Sequence, residues 1–189
     1  ALLMTGCQST SGSEDTNEVA NVAEEKTVVA ATVSGSQVLD RLDAEVVGIP
    51  TTQLEMPERF KGLPEVGQSM SPDLEIVASL EPDVFVMDNL FRESVEESLN
   101  EYDFNTFFLK TNTYSDYVQS IEELGKAINK EEEATALINE LKEVEKEVTS
   151  KKGDKAPTVA IIFGGGENFM LATETSYLGD LAKAVGVEN

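Results

Sequence analysis

The stretch Gly67-Gln68-Ser69-Met70-Ser71-Pro72-Asp73-Leu74-Glu75 decides how the rest of the chain is read. Ser71 reads as a helix N-cap, because its hydroxyl can accept from the free amides of a first turn. Pro72 suits the first helical position, where no amide donor is missed, and Asp73 suits the positive end of the helix dipole. Leu74, Val77 and Ala78 give the helix an apolar stripe, and Glu81-Pro82-Asp83 ends it. Met70 then stands one residue before the cap, on a loop held by the helix behind it. A thioether so presented is a candidate soft ligand for haem iron. The alternative is a methionine that fills a gap in the core, although its staple partner would be Glu75, a poor apolar contact.

Strand and helix patterns alternate on either side of this stretch. Thr27 to Thr32 reads as a buried strand by its β-branched content, followed by a short helix carrying Val38, Leu39 and Leu42 that Ser34 or Ser36 would cap. Glu45 to Ile49 is a second strand, and residues 51–66 form a long irregular connection with Pro57 and Pro64. Asp83 to Met87 is a third strand, Arg92 to Tyr102 a helix, and Asn105 to Leu109 a fourth strand. This order predicts an α/β fold, a Rossmann-like lobe with a mostly parallel sheet covered on both faces. Ligands of such sheets bind beyond the carboxyl ends of the strands. Ser34-Gly35-Ser36, Ser69 with Met70, and Asp88-Asn89-Leu90-Phe91 are therefore expected on one rim.

Helical patterns follow from Tyr114 to Ile128 and from Lys130 to Ser150. The second is long enough, at about 30 Å for 20 residues, to act as a strut between two lobes. Its charges read as a solvated face with i,i+4 pairs. Pro157 to Phe163 reads as a new strand, with Gly164-Gly165-Gly166 after it and a helix from about Ser176 to Val185. The triple glycine lacks the Lys-Ser/Thr of a phosphate loop. One strand and one helix cannot close a second core, so the chain reads as truncated in a second lobe. The expected organisation is 1–7 signal-peptide remnant, 8–26 tether, 27–129 N-terminal lobe, 130–152 interlobe helix and 153–189 the beginning of a C-terminal lobe.

Composition narrows the function. A formal net charge of −22 argues against nucleic acid and against adsorption on anionic lipid through a basic face. The chain has one cysteine, Cys7, and no histidine, which removes imidazole-based catalysis and most zinc sites. Ala1-Leu2-Leu3-Met4-Thr5-Gly6-Cys7 resembles a bacterial lipobox, in which the cysteine is lipidated; the other reading is an apolar start with a stray cysteine. Gln8 to Glu25, polar throughout, suits a spacer.

Met70-Ser71-Pro72-Asp73-Leu74-Glu75, running into Ser79-Leu80-Glu81-Pro82-Asp83-Val84, resembles the cluster III substrate-binding proteins of ABC importers, which serve haem, siderophores and cobalamin. Val47 to Gln53, Leu63 to Gly67 and Met70 to Asp73 are similar, more narrowly, to the haem-receiving lipoproteins of Gram-positive surface haem uptake. The likeness runs from about residue 27 to the end. It implies two α/β lobes joined by a long helix, haem b as the ligand, and Met70 as one axial ligand of its iron. The family's second ligand is a histidine of the other lobe, and this chain has none. The likeness also implies a permease contact at Glu75, lipidation at Cys7, and a place on the extracytoplasmic face of the membrane. Partners would be the ABC permease and an upstream surface haem-transfer protein. Phe169 to Tyr177 looks like the start of the second lobe, so Met170 or Tyr177 could touch the ligand or simply pack.

Haem carries two carboxylates, and a chain at −22 repels them. Free amides at the helix starts near Ser34 to Ser36 and Asn89 to Arg92 are the devices expected to offset this, with haem arriving by direct hand-off rather than long-range steering. A ferric siderophore or cobalamin ligand is the alternative within the fold. Anionic siderophores want several arginines, and there are only Arg41, Arg59 and Arg92. A carboxylate enzyme using Asp88 and Glu167 as an acid/base pair is a third reading, which nothing in their spacing demands.

Overall fold

In a computed structural model, residues 24–151, 157–165 and 168–188 are described. Cys7 and most of the expected tether lie outside them, as does Glu167. The centre is a four-stranded parallel sheet of β1 (Thr27–Ala30), β2 (Glu45–Gly48), β5 (Val84–Asp88) and β6 (Thr106–Leu109), in the order β2-β1-β5-β6. Between β2 and β5 in the chain lies a small antiparallel hairpin, β3 (Gly67–Gln68) and β4 (Ser71–Pro72).

The uninterrupted apolar runs of β1 and β5 are explained by helices on both faces of the sheet. Along β5, Val84 and Val86 face one core while Phe85 and Met87 face the other, all buried. The first core is closed by α1 (Val33–Arg41), α4 (Tyr114–Ala127) and the first half of α5 (Glu131–Ser150), through Val38, Leu39, Ile121, Leu124, Leu137 and Ile138. The second is closed by α2 (Leu74–Ser79) and α3 (Arg92–Leu99), through Val77 and Val95. A further hairpin, β7 (Ile162–Gly165) with β8 (Asn168–Leu171), precedes α6 (Tyr177–Ala184).

Three local expectations are corrected. Ser71 and Pro72 are not the cap and first residue of α2; they form β4, and Asp73 is the cap, its carboxylate accepting from the amides of Glu75 and Ile76 at 3.1 Å. Aspartate caps as well as serine does, and proline is tolerated in a short edge strand that asks it for no donor. Likewise α1 is capped by Thr32, not by Ser34 or Ser36, because the helix begins directly where β1 ends. The strand expected at 157–163 starts only at Ile162. Pro157 and Val159 instead exchange backbone bonds with Glu188, and two of the three glycines expected to follow the strand, Gly164 and Gly165, belong to β7.

Candidate ligand-binding site

The strand order reverses between β1 and β5: the chain leaves β1 towards β2 on one side and leaves β5 towards β6 on the other. The crevice beyond the carboxyl ends at such a point is where open α/β sheets bind ligands. The segments that meet there are Thr32 to Ser34 after β1, Ile49 to Thr51 after β2, Asp88 to Phe91 from β5, and Lys110 to Thr113 after β6.

Met70 reaches this edge through backbone bonds. The Ile49 amide donates to Pro64 O at 2.9 Å, the Val66 amide to Ile49 O at 2.8 Å, and the Thr51 amide to Gly67 O at 2.8 Å. The segment 64–67 is thereby laid along the continuation of β2. Asp73 N donates to Val66 O at 2.7 Å, closing the base of the hairpin. Gly67 supplies the left-handed backbone this requires, with φ of +90°. Ser69 and Met70 form the two-residue turn, with Ser69 half-buried and Met70 67% exposed. The sulfur-bearing side chain is presented outward rather than packed, which removes the gap-filling reading.

At the floor of the crevice is Asp88, 7% exposed. Its carboxylate accepts from the hydroxyl of Ser34 and from that of Thr111, the latter at 3.0 Å. One carboxylate thus joins the start of α1 to the turn after β6. Asp88, burial and Tyr177 all act on the phenol of Tyr117 on α4: burial chiefly, then Tyr177 and the Asp88 charge, push its pKa up from the usual tyrosine value. Sequence reasoning placed Asp88 on the rim without seeing this role, and missed Thr111. The available signal was a carboxylate directly after an apolar strand at the reversal of strand order.

The other expected residues divide. Asn89, Leu90 and Phe91 form a single 3-10 turn on the same rim, with Leu90 76% exposed, Asn89 half-buried and Phe91 packed against the second core. Gly35 and Ser36 are corrected: both are buried, the Gly35 amide donates to Thr32 Oγ1, and the Ser36 amide and hydroxyl both donate to Thr32 O. These groups are satisfied within the cap and are not free for a ligand carboxylate. Glu75 is exposed in the first turn of α2. Met170 lies exposed on β8 beside Phe169 and Leu171. Tyr177 begins α6 and, with Tyr114, Leu141, Val144, Val148 and Leu181, lines an apolar groove of about 200 Å³ between α4, α5 and α6.

Each of the three arginines pairs with a carboxylate of the chain. Arg41 pairs with Glu140, Arg92 with Glu96, and Arg59 with Asp40 and Asp43.

The periplasmic binding protein sequence pattern matches residues 28–189. The chain belongs to the periplasmic binding protein family. It is 32% identical over 190 aligned positions to the high-affinity heme uptake system protein IsdE of Staphylococcus aureus; that match covers the whole chain and 63% of the relative. Among solved structures it is similar to an ABC transporter substrate-binding protein from Listeria monocytogenes, at 33% identity and a TM-score of 0.80, over 88% of this chain and 65% of that one. It is also similar to S. aureus IsdE complexed with heme, at 32% identity and a TM-score of 0.79, over the same shares. The chain thus spans about two thirds of the length of the proteins it matches. The α/β lobe with its parallel sheet, read from the sequence, is the fold these structures share.

Proposed function

We propose that this chain is the ligand-binding part of a non-enzymatic, membrane-tethered binding protein that takes up haem b and presents it to the permease of an ABC importer. The carrying observation is Met70, its thioether exposed at the tip of a hairpin bonded to the ligand-binding edge of the sheet. The similarity to a heme uptake protein supports haem as the cargo. Met70 is assigned as one axial ligand of the iron. A thioether prefers the less charged iron and raises its reduction potential. Ser34, Ser69, Asn89, Leu90 and Phe91 are assigned to the porphyrin pocket, Met170 and Tyr177 to contacts from the far side, and Glu75 to the permease.

In this reading residues 27–129 form the N-terminal lobe, 130–152 the interlobe helix and 153–189 the first part of a second lobe. Cys7 carries the lipid that holds the protein at the extracytoplasmic face, and an upstream surface protein hands haem over. Among the described residues no helix is long and apolar enough to cross a membrane. Buried methylenes of a lipid anchor contribute about 0.8 kcal/mol each. Nucleic acid is no partner for a chain of this charge.

The test is a titration of the purified chain with haem and, in parallel, with iron-free porphyrin. Tight uptake of haem with sharp ligated-iron absorption bands, and weaker uptake of the iron-free ring, is expected. Equal binding of the two, with no ligation bands, would remove the iron-ligand reading.

A further inference from the structure

Asp88 poses a question that haem ligation by Met70 does not answer. Its carboxylate is nearly enclosed, held by two neutral hydroxyls, and has no cation opposite it among the described residues. A buried charge without an opposite charge is costly to keep. The two hydroxyls come from different sides of the crevice, Ser34 from the segment after β1 and Thr111 from that after β6. The charge therefore sits at the point where the strand order reverses, under any ligand lodged there. In a recess with low-dielectric walls such a charge is felt well beyond contact distance.

We propose that Asp88 is a specificity-determining residue: its fixed negative charge at the crevice floor excludes anionic iron chelates while tolerating a flat ligand whose carboxylates point away from it. The inference rests on this edge being the ligand face and deepens the haem reading. Polyanionic chelates would need free positive groups here, and Arg41, Arg59, Arg92 and the rim lysine Lys110 are each paired with a carboxylate. Haem differs in having its charge at one edge, so its apolar body can cover the floor while its carboxylates reach solvent. The same charge then orients the ring, with the propionate edge on the side away from Asp88.

The experiment compares the wild-type chain with Asp88→Asn, which keeps the shape and can still bond both hydroxyls. The probes are haem, a neutral ferric trihydroxamate and a ferric tricatecholate of net charge −3. At an effective dielectric constant of about 20, removing one charge roughly 7 Å away favours each unit of ligand charge by tenfold or more. Asp88→Asn is thus expected to gain at least about a thousandfold in affinity for the tricatecholate, about tenfold for each of its three charges, while haem, whose carboxylates point away, gains far less and the uncharged trihydroxamate stays within about threefold. Thr111→Val, which loosens the same cluster but keeps the charge, should give no such gain. Equal tricatecholate affinity in wild type and Asp88→Asn, or an equal gain in Thr111→Val, would overturn the proposal. Failure of the wild type to bind haem would instead overturn the haem reading, and the two results are read from separate titrations.

Discussion

The backbone amide of Thr51 donates to the carbonyl of Gly67 at 2.8 Å, and this bond ties the Met70 hairpin to the segment leaving β2. Gly67 can take part because it has no Cβ: one built there would lie 3.0 Å from Asp73 N and 3.1 Å from Ser71 O, at a φ of +90° that only glycine adopts freely. Gly67→Ala is expected to cost about 1–2 kcal/mol in stability and to weaken haem binding by displacing Met70. Urea unfolding and haem titration of the same variant check both halves. Unchanged binding would mean the hairpin does not position the ligand.

The cap of α2 gives a sharp comparison. Asp73→Ala should cost about 1 kcal/mol, since two first-turn amides lose their acceptor, and Asp73→Ser should recover most of it. Ser71→Ala should stay within about 0.5 kcal/mol, as expected of a surface position. Denaturation midpoints of the three variants decide it; a larger loss at Ser71 than at Asp73 would return the cap to Ser71.

At Gly125, α4 packs tightly against the start of α5. A Cβ there would meet Ala134 Cβ at 2.5 Å and Lys130 O at 3.0 Å. Gly125→Ala gains about 1 kcal/mol in helix propensity, yet the contact forces the helices apart. The expected outcome is a net loss of stability by thermal unfolding. A net gain would show that the two helices yield easily.

Burial holds the phenols of Tyr114 and Tyr117 above the ordinary tyrosine pKa of 10.0, with the charges of Glu145 and Tyr177 respectively adding to it. The folded state therefore keeps its protons after the unfolded chain has lost them. This contribution to stability is fully present below pH 10 and is lost as pH rises through the raised folded values. Ultraviolet titration should show two tyrosines ionising later than the rest, and Asp88→Asn should bring Tyr117 down.

The sheet was legible because its central strands β1 and β5 carry continuous apolar runs, which burial on both faces explains. Helices α4 and α5 were legible from their 3.6-residue spacing, Val118, Ile121 and Leu124 on one and Ala134, Leu137 and Ile138 on the other. The hairpin was not legible. Ser-Pro-Asp can cap a helix at its first residue or at its third, and the choice is made by the distant bonds of Ile49 and Thr51, which local propensity does not contain. The carboxylate cluster was hidden for the same reason, since Ser34, Asp88 and Thr111 are 54 and 23 positions apart. Met70 was found from its neighbours in the chain and from resemblance; its outward presentation came from the fold.

Iron ligation by Met70 is tested most directly by the absorption spectrum of the haem complex in Met70→Leu, which keeps the side-chain volume and removes the sulfur. With the thermal midpoint unchanged, the sharp bands of thioether-ligated iron are expected to disappear and haem binding to weaken. A spectrum and affinity identical to wild type would show that Met70 does not ligate the iron.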